Sequence, residues 1–336
     1  MPDRLALPGF VSAHSHAFQR SLRGRAEGGD FWAWRDVMLS HARGLTPDTV
    51  RRDYEQTYRE MRAAGYTAVG EFHYVGFDEA RAAIEAAEAA GIAIVLLFVA
   101  YARGGLERFR QPSPGAYLER VEALRAGGAQ VGVAPHSVRA CPPDWLAEVG
   151  AYAEREGLVL HVHADEQPRE IEECLAEHGL RPIELLAESG CLGPRTTVVH
   201  ATHADERELD LLADSDARVC LCPTTESNLG DGFPPLLELL ERRIPLCIGS
   251  DSNVRLDPLE ELRELDAIAR RQALRRDVVR PERLLEFGAA SGAASLGLEQ
   301  WDEIEVDLGH ASLAGVDPTA VPAALGSGCG ADVILA

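Results

Sequence analysis

Histidines spaced two residues apart occur at two places in this 336-residue sequence, each time at the end of an apolar run. The first pair is His14 and His16, and the second is His161 and His163. In an extended strand, residues i and i+2 point to the same side, so both imidazoles of a pair can reach one ion. A single pair is a weak signal, but two pairs at the ends of apolar runs indicate a metal site.

A carboxylate completes this pattern, because the apolar run over 244–251 ends in Asp251. Two histidines from one strand, one from a second strand and this aspartate would form a shell of three nitrogens and one oxygen. Such a shell suits Zn²⁺ or Fe²⁺ and leaves a position for water. His161 or His163 could supply the third nitrogen, and the spacing between His163 and Glu166 favours His163.

The elements that must position these residues are short apolar runs that alternate with amphipathic helical stretches. This alternation is typical of repeated β-α units around a parallel sheet, and eight such units predict an α/β fold of the TIM-type (β/α)8 barrel class. Titratable side chains stand at the C-terminal ends of these runs, which is the catalytic face of a barrel. The predicted strands are 10–14, 67–73, 92–100, 131–136, 158–163, 197–201, 218–222 and 244–251.

The sequence contains no lysine, so all 33 of its basic residues are arginine. This excludes Schiff-base aldolases, pyridoxal-phosphate enzymes and P-loop nucleotidases, which need a lysine amine. It also excludes a pair of metals bridged by a carboxylated lysine. We therefore expect one divalent metal ion, with Zn²⁺ favoured over Fe²⁺. The net charge of −21 argues against nucleic acid or an anionic membrane surface as a partner. A local cluster of arginines would still accept a small anionic substrate.

No stretch approaches the roughly 20 apolar residues of a membrane span, and the N-terminus lacks the apolar core of a signal peptide. We therefore expect a cytoplasmic protein without a membrane partner. The seven cysteines are odd in number and mostly embedded in apolar runs, which predicts buried free thiols.

Several stretches of the chain resemble the amidohydrolase superfamily and, within it, the formimidoylglutamate deiminase family of histidine degradation. The His-x-His pair and the aspartate at the end of a strand are shared across the superfamily. Three stretches are much narrower signals, and the likeness as a whole runs over residues 5–300. The three stretches are Phe31-Trp32-Ala33-Trp34-Arg35, Glu71-Phe72-His73-Tyr74 and Pro135-His136-Ser137-Val138-Arg139.

The resemblance implies a role for each matching residue. The metal ligands would be His14, His16, His163 and Asp251. Glu166 would be the proton shuttle, His200 would lie beside the attacking water, and Asp251 would take the proton of that water. His203 competes with His200, but His200 ends its apolar run. The substrate-binding residues implied are Gln19, Arg35, Tyr74, His136 and Arg139.

The activity implied is hydrolysis of N-formimino-L-glutamate to N-formyl-L-glutamate and ammonia, with metal-activated water attacking the formimino carbon. The substrate would be a small dicarboxylate, which arginine holds through planar bidentate contacts. Two alternatives stay open. One is a mononuclear aminohydrolase of a purine, pyrimidine or triazine ring, and the other is a non-catalytic relative that only binds metal.

The chain ends depart from the family pattern, because only 13 residues precede His14. We expect a barrel over 8–300 and a reduced β-sandwich-like appendage formed by 1–7 and 301–336. The tail after Trp301 shows no helical periodicity, and its apolar runs over 304–306 and 333–335 predict strands. The resemblance allows a homodimer as the assembly.

Overall fold

A computed structural model of the chain describes residues 4–335, and residues 1–3 and 336 of the predicted appendage lie outside this range. The strands are β1 Arg4–Pro8, β2 Phe10–Ser15, β3 Tyr66–His73, β4 Ala93–Ala100, β5 Val131–Pro135, β6 Leu160–Ala164, β7 Thr196–His200, β8 Arg218–Leu221, β9 Leu246–Ile248, β10 Glu303–Asp307 and β11 Ile334–Leu335.

Helices connect almost all of these strands. The α-helices are α1 Phe31–Ala42, α2 Pro47–Ala63, α3 Phe77–Ala90, α4 Pro114–Ala126, α5 Pro143–Glu156, α6 Pro168–His178, α7 Pro182–Glu188, α8 Glu206–Asp214, α9 Pro223–Leu229, α10 Leu236–Glu241, α11 Pro258–Ala273, α12 Pro281–Gly288, α13 Ala290–Ser295 and α14 Val321–Gly328. Short 3₁₀ helices span Ala17–Leu22, Glu107–Phe109, Ala311–Leu313, Pro318–Ala320 and Ala331–Val333.

Strands β2 to β9 form one parallel sheet in which every strand lies next to its neighbour in sequence. The first and last strands meet just beyond their C-terminal ends and close the barrel. There the amide of His16 donates to the carbonyl of Asp251 at 2.7 Å, and the amide of Asp251 donates to the carbonyl of His14 at 3.0 Å. The predicted (β/α)8 barrel is confirmed, with all eight strands in the predicted places.

The helices begin and end at residues that satisfy free backbone groups. Thr46 caps α2 through a hydrogen bond from the Thr49 amide, and proline occupies the first turn of that helix. Gly91 ends α3 and Gly157 ends α5, both in the left-handed conformation that glycine adopts without steric cost. These signals fix the lengths of the helices and so bring each following strand back to the same end of the barrel.

The chain ends form a second, antiparallel sheet in which β10 lies between β1 and β11. Leu5 pairs with Val306, and Val306 pairs with Ile334 on its other side. This sheet confirms the small β appendage. The expectation of a tail without helices was wrong, because α14 lies in it. Small and apolar residues dominate that helix, so its sequence has no polar face to reveal a helical period.

The barrel core and the appendage are continuous in one apolar cluster. All seven cysteines are buried and free, as predicted. Across residues 4–335, no helix has both the length and the apolar character needed to cross a membrane.

Candidate active site

Four of the predicted ligands meet where the first, fifth and eighth barrel strands end. The Nε2 atom of His14 lies 3.1 Å from Nε2 of His16 and 3.0 Å from Nε2 of His163. Oδ1 of Asp251 lies 3.4 Å from Nε2 of both His14 and His16. All four side chains are buried, and their ligand atoms form a group that could hold a metal ion.

The hydrogen bonds of this cluster show that it fits a cation. Nδ1 of His16 faces the Phe72 carbonyl at 3.0 Å, and Nδ1 of His163 faces the His136 carbonyl at 2.9 Å. A carbonyl only accepts, so each Nδ1 carries the proton and each Nε2 presents a lone pair. Burial lowers the pKa of His16 to about 3 and also lowers the pKa of His14 and His163.

His16 and His163 are therefore neutral imidazoles whose Nε2 lone pairs both point at Nε2 of His14, beside a carboxylate. A hydrogen bond needs a donor, and this group has too few protons to supply one to every close contact. A divalent cation would satisfy all three nitrogens and Asp251 together. The residues present therefore fit one divalent metal ion, in agreement with the prediction.

Backbone conformation at the strand ends turns these side chains into the site. Asp165, His200, Ala201, Asp251 and Asn253 all have positive φ values between 43° and 76°. Left-handed backbone is costly for residues other than glycine and tends to concentrate at functional sites. In this chain, such residues cluster where β6, β7 and β9 reach the catalytic face.

Glu166 and His200 lie beside this cluster. Nε2 of His200 is 3.6 Å from Oε1 of Glu166 and 3.9 Å from Oδ2 of Asp251. Burial opposes protonation of His200, but the charges of Glu166, Asp251 and Glu226 outweigh it and raise its pKa to about 10. Burial raises the pKa of Glu166 to about 6, against the opposing charges of His200 and Arg139.

The five predicted substrate-binding side chains line the same cavity as the cluster. Gln19 donates through Nε2 to the Tyr74 hydroxyl at 3.3 Å. Arg139 lies 3.4 Å from Glu166 and 3.3 Å from Glu170. The structure thus brings all the predicted site residues together. The predicted residues that line the cavity are His16, Gln19, Arg35, Tyr74, His136, Arg139, His163, Glu166, His200 and Asp251.

Helix α1 covers one side of the cavity and supplies Arg35. Its N-terminus is fixed by Asp30, whose side chain accepts from the Ala33 amide at 2.9 Å. Trp32 of the same helix lies under the guanidinium of Arg139, 5.8 Å from the ring centre. The cavity therefore has one wall from the barrel and one from a helix outside it.

The structure places the histidines between which the sequence left a choice, in each of the two pairs His161/His163 and His200/His203. His163 lies in the cluster, whereas Nε2 of His161 faces the Ser295 carbonyl at 2.9 Å, away from the cluster. His200 lines the cavity, and His203 lies outside it.

Sequence reasoning missed Glu226, Glu170 and Tyr101. Oε1 of Glu226 lies 3.2 Å from Nδ1 of His200 and also accepts from the Cys222 amide at 2.9 Å. Burial raises the pKa of the Tyr101 hydroxyl, against the nearby charges of Arg35 and Arg139. Tyr101 directly follows the predicted strand 92–100, and Glu226 follows the end of the predicted strand 218–222 by four residues, so both had a usable signal on the catalytic face.

Comparisons with known proteins show which family the chain resembles. The model of the "Amidohydrolase family" matches residues 5–307. The formimidoylglutamate deiminase of Pseudomonas aeruginosa is 39% identical, with 87% of this chain and 72% of that protein covered. The 5-methylthioadenosine/S-adenosylhomocysteine deaminase of Haloarcula marismortui is 31% identical, with 94% and 73% covered.

Solved structures show the same fold. An amidohydrolase from Brucella melitensis has a TM-score of 0.87 and 30% identity, covering 98% of this chain and 84% of that one. An adenosine deaminase from Xanthomonas campestris with bound zinc has a TM-score of 0.90 and 24% identity, covering 99% and 78%. This chain therefore belongs to the amidohydrolase family and is a hydrolase that acts on C–N bonds.

Proposed function

We propose that this protein is a zinc-dependent deiminase that converts N-formimino-L-glutamate and water to N-formyl-L-glutamate and ammonia, a step of histidine degradation. The observation that carries the proposal is the joint placement of Arg35 and Arg139 with the imidazole cluster on one cavity. The substrate carries an amidine on its α-nitrogen, one carboxylate beside that nitrogen and a second carboxylate at the end of its side chain, so it needs both features. The 39% identity to a formimidoylglutamate deiminase supports the same assignment.

The metal would be held by His14, His16, His163 and Asp251. When bound, a divalent ion lowers the pKa of a coordinated water and so provides a nucleophile at neutral pH. Zinc is favoured by a shell of three imidazoles and one carboxylate. It is also the metal bound in the similar adenosine deaminase structure.

Three side chains would transfer protons and stabilise charge during the reaction. The neighbouring imidazoles outweigh burial and hold the pKa of Asp251 below its usual range, so this carboxylate is ionised and able to accept a proton from the attacking water. Glu166, with its pKa near neutrality, is suited to carry a proton to the departing nitrogen. The positive charge of His200 is suited to stabilise the oxygen that attacks.

The reaction balances with these groups alone. The water oxygen bonds to the amidine carbon, the bond from that carbon to the terminal nitrogen breaks, and two protons accompany this nitrogen as it leaves as ammonia. The carbonyl of the formyl product remains on the substrate nitrogen.

The guanidinium groups of Arg35 and Arg139, in the same cavity as the imidazole cluster, would bind the substrate carboxylates. Arg139 is held by Glu166 and Glu170, so its guanidinium is oriented before a substrate binds. Arg35, Gln19, Tyr74 and His136 complete the binding wall.

A second candidate is deamination of a purine nucleoside, which the 31% identity to a 5-methylthioadenosine/S-adenosylhomocysteine deaminase favours. The guanidinium of Arg35 in the cavity argues for the dicarboxylate, because a neutral nucleoside brings no carboxylate to it, whereas Arg139 already pairs with Glu166 and Glu170. The seven buried free thiols support a reducing, cytoplasmic setting for either activity.

Steady-state ammonia release separates the two candidates. The zinc-loaded protein is assayed with N-formimino-L-glutamate, N-formimino-L-aspartate, 5-methylthioadenosine and guanine. We expect the highest kcat/KM for N-formimino-L-glutamate. A folded, zinc-loaded sample that releases no ammonia from this compound would rule out the proposal, and a higher kcat/KM for the nucleoside would favour the second candidate.

A further inference from the structure

We propose that His200, Cys222 and Asp251 form a second cation site, next to the three-histidine cluster, which binds zinc when this ion is in excess. The absence of lysine excludes a carboxylated-lysine bridge, but it does not exclude a site built on a thiol. Cys222 follows β8, so its side chain lies at the same end of the barrel as the ends of β7 and β9.

The spacing of this group allows its three residues to hold one metal ion. One ligand atom from each of the three residues lies within 4.8 Å of the other two, and all three side chains are buried. Nε2 of His200 has no hydrogen-bond partner among residues 4–335. Asp251 directs Oδ1 to His14 and His16 and leaves Oδ2 on the side of His200.

The surroundings favour a cation. Oε1 of Glu166 lies 3.6 Å from one nitrogen of His200, and Oε1 of Glu226 lies 3.2 Å from the other. With Asp251, three carboxylates therefore surround one imidazole in a buried space. Buried carboxylates are stable only where a positive charge compensates them, and a metal ion supplies more of that charge than a proton.

A glycine keeps the thiol accessible from the cluster. A Cβ atom added at Gly249 would lie 3.0 Å from Sγ of Cys222 and 2.9 Å from Cβ of His14. A side chain at position 249 would therefore be too close to both atoms. Because this residue is glycine, Sγ of Cys222 can face the strand that carries His14 and His16. Binding forms bonds from zinc to Sγ of Cys222 and to Nε2 of His200. The S–H bond and the Nε2–H bond of the imidazolium break, and both protons pass to solvent, because a thiolate and a neutral imidazole are the metal ligands.

An ion at this site would occupy His200 and the free oxygen of Asp251. Under the proposed function these groups handle the attacking water, so excess zinc is expected to inhibit hydrolysis. This consequence depends on the proposed function, whereas the existence of the site does not.

Cobalt tests the site without a substrate. Metal-free protein is titrated with Co²⁺, and absorbance is followed in the near ultraviolet, where a bond between Co²⁺ and a thiolate gives an intense charge-transfer band. The three-histidine cluster contains no sulfur and gives no such band. We expect the band to develop only after the first equivalent is bound, while elemental analysis shows bound metal rising from one to two ions per chain.

Matched variants assign the band. Cys222→Ser should abolish it and leave one bound ion, with basal ammonia release retained and inhibition by excess zinc relieved. Cys220→Ser is the control, because Cys220 is equally buried and lies in β8, two residues before Cys222, but outside the group. It should keep the band. If Cys222→Ser does not fold, as judged by circular dichroism, Cys222→Ala replaces it.

The results that would overturn the site are a single bound ion at saturating Co²⁺, a second bound ion without the band, or a band that persists in Cys222→Ser. Failure of N-formimino-L-glutamate as a substrate would leave these spectroscopic outcomes unchanged, so the two proposals fail independently.

Discussion

The two ends of the active-site cavity are built in different ways. At the imidazole end, His14, His16 and His163 come from barrel strands, are buried and are oriented by backbone carbonyls. At the arginine end, Arg35 comes from α1 and Arg139 from the segment after β5, and both are only partly buried. The barrel therefore fixes the chemistry, while segments outside the strands present the groups that would select a substrate.

This division predicts that deaminases of different substrates share the imidazole end and differ at the arginine end, because a helix or a loop could be exchanged there without disturbing the strand ends that hold the cluster. The alternative is that both ends act as one unit, in which case changes at either end would have similar effects. Perturbing one end at a time distinguishes these views.

Removal of the metal should have the largest effect on ammonia release, because the ion would provide the nucleophile. It perturbs only the imidazole end. Dialysis against a chelator is expected to abolish ammonia release, and one equivalent of Zn²⁺ should restore it. The thermal midpoint of unfolding should also fall, because a bound ion stabilises the folded state and the free cluster leaves Nε2 lone pairs facing one another. Full activity in a sample shown by elemental analysis to be free of metal would contradict the proposed mechanism.

Glu166→Gln should have the next largest effect. The amide cannot carry a proton to the leaving nitrogen, so we expect kcat to fall about 10²–10⁴-fold. Metal content should be unchanged, because Glu166 lies outside the ligand group. The control is Glu172→Gln, an exposed position on α6 that follows the same strand. Unchanged kcat in Glu166→Gln would remove this residue from the mechanism.

Glu226→Gln tests whether His200 depends on a positioning residue. The carboxylate of Glu226 holds Nδ1 of His200 and so directs Nε2 towards the cavity. We expect kcat to fall about 10–100-fold with little change in KM, as is usual for residues that orient a functional histidine. Glu261→Gln is the matched control, because Glu261 is equally buried but accepts from Thr224 instead. A similar loss in both variants would indicate a purely structural role.

The fold was predictable because strand, helix and turn signals agreed along the chain. Each barrel strand is a short apolar run, and helices carry capping signals such as Thr46 and Pro47 at the start of α2 and Gly91 at the end of α3. The exception is α14, where small apolar residues give no period. In that region the helix packs against α11, α12 and two neighbouring 3₁₀ helices, and such contacts do not appear in a single sequence.

The site was predictable to a different extent at its two ends. Strand ends point to the same face of a barrel, so the meeting of His14, His16, His163 and Asp251 could be expected from the strand pattern. Glu226 and Tyr101 also follow predicted strand ends, but their contacts with His200 and Arg35 could not be expected, because these distances depend on how loops and helices pack above the barrel. The left-handed backbone at His200 and Asp251 was also not predictable, because neither residue is a glycine or an asparagine.

Arg35→Ala should have the smallest effect of the four changes and is the most direct test of the arginine end. Loss of one charged contact costs about 1.5 kcal/mol, or roughly tenfold in kcat/KM for the dicarboxylate. Hydrolysis of formamidine, which has the amidine but no carboxylate, should change much less, because the imidazole end is intact. The control is Arg155→Ala, whose side chain is 63% exposed on α5. An equal loss with both substrates would mean that Arg35 supports the chemistry itself, and the two ends would then have to be regarded as one unit.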